Sequence, residues 1–169
     1  DIDIFKTIDL NIIGTSNLVK FCSQKKIKFI YFSTNYVYPG TKGKYTENDS
    51  LLPFNNYAWS KMGGECAAQM YKESLILRVC MTEKPFIHKF AFDDFITNFI
   101  FHDDVVKLIP KLIKKRGIIN LGGPIQSVYK FAKKYNPQIK KANSKKLLKK
   151  TIPTNHSMNI NKLKKFLND

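Results

Sequence analysis

From Asp3 to Ser23 apolar residues return at Ile4, Ile8, Ile12, Leu18, Val19 and Cys22, the spacing of a helix with one apolar face. Lys25-Lys26 would close it, because cations are favoured at a helix C-terminus. The period then changes. Ile27 to Phe32 is a nearly continuous apolar run, suited to a strand of a parallel sheet covered on both faces. Pro39 to Pro53 reads as a turn-rich loop, and Asn55-Asn56 as the cap of a helix from about Tyr57 to Lys72 on which Met62, Ala67, Ala68 and Met70 pack. Leu75 to Val79 is a second buried strand. His102-Asp103-Asp104 then precedes Val105, Val106, Leu108, Ile109, Leu112 and Ile113, a helix with carboxylates at its positive end. Pro110 inside that pattern should kink it or shift its start. Gly117 to Leu121 reads as a short strand entering a turn at Gly122-Gly123-Pro124, Ser127 as the cap of a helix through Lys134, and Asn159 to Leu167 as a short amphipathic helix.

Composition narrows this picture. The 169 residues are 43% hydrophobic and 13% aromatic, enough for a core in one domain. No apolar run approaches the ~18 residues that a membrane helix needs. Three cysteines, Cys22, Cys66 and Cys80, have neither metal-like nor redox-like spacing, which points to a reduced, cytoplasmic setting. The net charge of +16 invites a nucleic-acid partner. Much of the excess falls in Lys140-Lys141, Lys145-Lys146, Lys149-Lys150 and Lys162 to Lys165, in a chain rich in Lys, Ile and Asn throughout, so a solvated compositional excess is the preferred reading. A basic cleft would still attract phosphates.

The chemistry is concentrated in Tyr57-Ala58-Trp59-Ser60-Lys61. Residues four apart on a helix share a face, so the Lys61 ammonium can reach the neighbourhood of the Tyr57 phenol and favour its ionised form. Thr34, at the end of the first strand, could share a substrate oxygen with Tyr57. The set would exchange a proton with a carbonyl or a carbinol.

Around these residues lie Ser33-Thr34-Asn35-Tyr36-Val37-Tyr38, Pro39-Gly40, Tyr45-Thr46-Glu47-Asn48-Asp49, Pro53, Gly63-Gly64-Glu65 and, upstream, Asn11-Ile12-Ile13-Gly14-Thr15. In that order they resemble the extended short-chain dehydrogenase/reductase family that acts on nucleotide sugars, over nearly the whole chain. The resemblance implies an α/β fold: the C-terminal part of a doubly wound Rossmann-like parallel sheet, with a small α+β substrate-binding region. Residues 1–82 would be the later half of the NAD(P)-binding domain. Residues 83–169 would bind the nucleotide sugar, returning a strand and helix to the sheet. None of the eight glycines falls in a G-x-G-x-x-G spacing, so the chain is expected to lack the first βαβ portion. An edge exposed in that way predicts poor solubility or oligomerisation.

Roles follow by the same resemblance. Thr34, Tyr57 and Lys61 would be catalytic; Ser33, Tyr57, Lys61, Cys80 and Met81 would meet NADP or NAD; Asn35, Tyr36 and Asn11 would serve the substrate side. Asn11 reads equally as capping or satisfying local backbone. The family's dehydratases usually carry an Asp-Glu pair after the Thr, whereas Asn35-Tyr36 stands here, so dehydration is disfavoured and the wording is closer to reductases that finish deoxysugar synthesis, the dTDP-4-dehydrorhamnose reductases. Their closing segment often has an Arg-Pro pair where Ile152-Pro153 stands. A C4 epimerase and a non-catalytic nucleotide-sugar-binding module are the alternatives. Partners would be the nucleotide sugar and a second copy or the missing half, with no metal, nucleic acid or membrane. Lys84, His88 and Lys89 could meet a diphosphate or merely be solvated; Trp59 reads as structural, and His102-Asp103-Asp104 as a helix start.

Overall fold

The computed structural model describes residues 3–149 and 151–168; Lys150, counted in the late basic run, lies outside them. The chain begins with helix α1 (Ile4–Ile8), a wider π-helical segment (Asp9–Gly14) and α2 (Thr15–Lys25). Strand β1 (Phe29–Thr34), α3 (Asn56–Gln69) and β2 (Ser74–Val79) follow. Short strands β3 (Met81–Thr82), β4 (Phe90–Phe92), β5 (Ile96–Thr97) and β6 (Ile100–Phe101) lead to α4 (His102–Leu112). Then come β7 (Gly117–Leu121), β8 (Gln126–Ser127), α5 (Val128–Lys133), β9 (Lys140–Ala142), α6 (Ser144–Leu148) and α7 (Asn161–Asn168).

The central sheet is parallel, in the order β1-β2-β7, with Thr34 beside Val79 and Val79 beside Leu121 at its C-terminal end. One face packs Tyr31 and Ile76 against Val19 of α2 and Ala68 of α3. The other packs Leu75, Leu77 and Val79 against Val105 and Leu112 of α4 and Leu163 of α7. β2 is buried at every position, as its reading as a buried strand requires, and this burial extends to Arg78. The later part of the chain thus returns β7 and α7 to the first sheet. Among the described residues β1 is an edge strand, and Phe32 on it is 37% exposed.

Several local expectations are corrected. The first apolar pattern does not lie on one buried face: Thr15 and Val19 are buried, while Ile4, Ile8 and Leu18 face outward. The π segment widens the turn between them, so residues before and after it no longer share a stripe. Asn55, whose side-chain oxygen accepts from the Ala58 N–H at 2.8 Å, starts α3; the helix ends at Gln69, leaving Met70 89% exposed rather than packed. At α4 the N-cap is Phe101, without a side-chain hydrogen bond, so Asp103 and Asp104 act through their charge in the first turn. Pro110 falls in the last turn of that helix. Ser127 does cap α5, accepting from the Lys130 N–H at 3.1 Å. Gly122 backs directly onto Asn98: a Cβ there would meet the Asn98 carbonyl oxygen at 2.6 Å, and this close approach fixes the turn after β7.

Candidate active site

β1 and β2 end side by side, and α3 crosses over them. Between these ends lies a cavity of about 310 Å3, where Thr34, Tyr57 and Lys61 come together. Ser33, Asn35 and Tyr36 line it from the end of β1, and Cys80 and Met81 from the end of β2. Position at the C-terminal ends of parallel strands is where open α/β sheets bind ligands. The Thr34 hydroxyl accepts from the Tyr36 N–H at 3.3 Å and caps a single turn at Asn35–Val37.

The electrostatics differ from the spacing argument. Lys61 was expected to draw the phenol down, yet burial pushes Tyr57 above the usual tyrosine range. The Lys61 ammonium stands 4.3 Å over the ring of Tyr31, whose hydroxyl in turn donates to the Lys61 carbonyl at 2.9 Å. Burial lowers the Lys61 pKa, and the Glu65 carboxylate acts against that fall. A phenol that keeps its proton at neutral pH suits an acid.

The remaining residues separate into groups. Asn35 is buried and donates to Thr97 Oγ1 at 3.2 Å and to the His156 carbonyl at 3.3 Å, so it ties the cavity floor to the C-terminal segment. Cys80 is buried against the Thr97 hydroxyl, Sγ to Oγ1 2.8 Å, and burial pushes its thiol up to about 11, a neutral filler. Asn11 does not line the cavity: it donates to Ser60 Oγ at 3.0 Å and fastens the π segment to α3. Trp59 does not line it either, being 47% exposed over a groove with Ile4, Ile8 and Ile12. His102 enters from the start of α4, but the described residues contain no group of side chains that could hold a metal.

A second cavity, of about 520 Å3, shares Tyr36 and Phe99 with the first. Its wall is apolar and aromatic, with Phe54, Phe86, Phe95 and Ile152, and His88 and Lys89 are its basic members. Ile152, where the resemblance leads one to look for Arg, completes an apolar surface. Behind Tyr36, Phe54 and Phe95 the ring of His156 is fully buried, stacked 5.4 Å from Phe95, and neither ring nitrogen has a side-chain hydrogen-bond partner among the described residues.

Sequence reasoning missed the buried ion pair of Glu65 and Arg78, 2.6 Å apart. The signal was present: Arg78 stands inside an apolar strand, and a buried guanidinium requires a partner.

Comparison with known proteins gives this geometry its context. Residues 5–83 match the family described as RmlD substrate binding domain. The human dTDP-D-glucose 4,6-dehydratase is 30% identical over 170 residues, covering 83% of this chain and 49% of that protein. The chain therefore spans about half the length of that relative. Among solved structures, the dTDP-4-dehydrorhamnose reductase of Bacillus anthracis, in complex with NADP, superposes with a TM-score of 0.78 at 23% identity, over 96% of this chain and 68% of that one. A hypothetical dTDP-4-dehydrorhamnose reductase from Sulfolobus tokodaii gives a TM-score of 0.84 at 23% identity, over 97% and 67%. These similarities, with the Thr34, Tyr57 and Lys61 cavity at the end of a parallel sheet, point the same way: the chain is similar to RmlD-like proteins of the extended short-chain dehydrogenase/reductase family.

Proposed function

We propose that the protein is the proton-donating and substrate-binding part of an NAD(P)-dependent oxidoreductase that reduces a nucleotide-linked 4-keto-6-deoxysugar. The observation that carries this reading is the meeting of two cavities at Tyr36 and Phe99, one holding Thr34, Tyr57 and Lys61, the other large and aromatic. A keto sugar in the first would leave its nucleotide in the second.

The residues fit one end of the cofactor. Lys61 and Tyr57 stand where a nicotinamide ribose could be held, and the Cys80-Met81 backbone passes the same cavity; NADPH or NADH, when bound, would supply the hydride. The chain's own steps are proton and hydrogen-bond steps. The Tyr57 hydroxyl, protonated at neutral pH and shifted further up by burial, gives its proton to the substrate oxygen as general acid. The Thr34 hydroxyl hydrogen-bonds the same oxygen as charge grows on it. Lys61 holds a positive charge beside them that favours the phenolate left behind. His88 and Lys89 at the aromatic cavity would face the diphosphate. A strand carrying a pyrophosphate-binding turn would add at the free edge of β1.

Asn35-Tyr36 in place of two carboxylates supports reduction over dehydration. A C4 epimerase of the same family is the second reading; it would retain tightly bound NAD through purification. The test is titration with NADPH and NADH, followed by nicotinamide fluorescence, with and without dTDP- and UDP-linked 4-keto-6-deoxysugars. Cofactor binding with oxidation on addition of the keto sugar is expected of a reductase. Sugar-nucleotide binding without cofactor binding in a folded sample would instead make this chain a binding module.

A further inference from the structure

Across the C-terminal end of the sheet Ser33, Arg78 and Asn120 stand side by side in register, one from each strand. All three are buried. They form a polar row under α3, beside the mainly apolar patch of Tyr31 and Ile76 on the same sheet face. Into the row comes Glu65, fully buried, one helical turn beyond Lys61 and two beyond Tyr57 on the same face of α3. Its carboxylate accepts from Ser33 Oγ at 2.5 Å and from Arg78 Nε and Nη2 at 3.1 and 2.6 Å. Arg78 continues to the Tyr38 hydroxyl at 2.7 Å, which donates to Asn120 Oδ1 at 2.8 Å.

Burying a carboxylate and a guanidinium is costly, and apolar residues would hold the sheet and helix together at least as well. We propose that Glu65 is a positioning residue for the proton-donor site: held by Ser33 and Arg78, its carboxylate fixes a negative charge one helical turn from Lys61, and its bond to Ser33 sets the spacing between Tyr57 and the neighbouring Thr34. The inference rests on the reading of Tyr57 and Lys61 as that site. Burial works against the Lys61 charge, and the Glu65 carboxylate acts in the opposite direction. The other titratable groups facing its surroundings are Tyr57 on α3, Tyr31 on β1, and Tyr36, Cys80 and His102 across the cavity, with Arg78 behind Glu65. Glu65 is the one carboxylate among them.

The test follows the Lys61 side-chain resonance against pH in protein made with isotope-labelled lysine, assigned by its loss in Lys61→Arg. Glu65→Gln should lower the Lys61 midpoint by about one pH unit or more, and Glu65→Asp should restore most of it. Should Glu65→Gln not fold, the double variant Glu65→Met with Arg78→Met removes both buried charges and tolerates folding better; it should lower the midpoint likewise. A midpoint that stays within experimental error in the folded variant, whatever the change in melting temperature, overturns the proposal and leaves the pair a structural one. The titration needs no turnover. Absence of hydride transfer with a shifted midpoint would therefore count against the proposed reaction and not against Glu65.

Discussion

The two cavities that meet at Tyr36 and Phe99 are built in opposite ways. The smaller one is made by the ends of β1 and β2 and one face of α3, elements held by long parallel pairing and a packed core. Ser33, Thr34 and Asn35 in it each have a defined hydrogen-bond partner. The larger one is assembled from short strands and connecting segments, mostly between residues 82 and 152 with Tyr36 and Phe54 from earlier in the chain, and its walls are mostly rings, such as Tyr36 edge-on to Phe54 at 5.3 Å. Chemistry that depends on tenths of an ångström sits on rigid elements, and recognition that depends on shape sits on adaptable ones.

Tyr57→Phe breaks the comparison most sharply. In a cofactor-competent form, loss of the proton donor should lower turnover by about 10²–10⁴-fold while nucleotide-sugar affinity in the aromatic cavity stays at the wild-type value. Steady-state kinetics with an equilibrium binding measurement separates the two. Equal loss of both would merge the cavities into one functional unit, and unchanged turnover would remove Tyr57 from the mechanism.

Arg78→Met is expected to cost about 3–5 kcal/mol of stability, because it strands the buried Glu65 carboxylate without its partner. Denaturant unfolding measures it. Removing both partners should cost clearly less than removing Arg78 alone, and the reverse order would mean that the pair itself stabilises the smaller cavity.

This contrast also governs what could be read from the chain beforehand. Tyr57 and Lys61 are four residues apart on one helix, and Thr34 ends an apolar strand, so a local pattern carries most of the smaller cavity. The upward shift of Tyr57 was not legible, because burial is a property of the assembled site. The larger cavity draws Phe54, Phe86, Phe95 and Ile152 from four separate segments with no shared period. Asn11 shows the limit within a helix: the π segment turns it toward Ser60, and nothing in the apolar spacing announces that extra rotation.

His156 sharpens the comparison through pH. Burial pulls its pKa down to about 4, against an ordinary value of about 6.5. The unfolded chain therefore binds the proton more readily. Stability is complete above pH ~6.5 and falls as pH drops toward ~4, by about 3 kcal/mol in total. Unfolding measured across that window should show the slope in the wild type and a much smaller one in His156→Leu. Because His156 backs the aromatic rings while its carbonyl holds Asn35, acid should loosen the larger cavity before the sheet.

The smallest effect is expected at Trp59, and it tests where the smaller cavity ends. Trp59 is two residues from both Tyr57 and Lys61 in sequence, but a helix turns it about 200° away from each, toward the outer groove with Ile4, Ile8 and Ile12. Half of its surface remains in water, so Trp59→Ala loses only part of an aromatic contact and should cost about 1 kcal/mol or less. Cofactor affinity, sugar-nucleotide affinity and the Lys61 titration should all stay as in the wild type. A tenfold loss of sugar-nucleotide affinity would require the substrate to wrap around α3 to its outer face, and the boundary drawn between the polar cavity and the helix surface would then be in the wrong place.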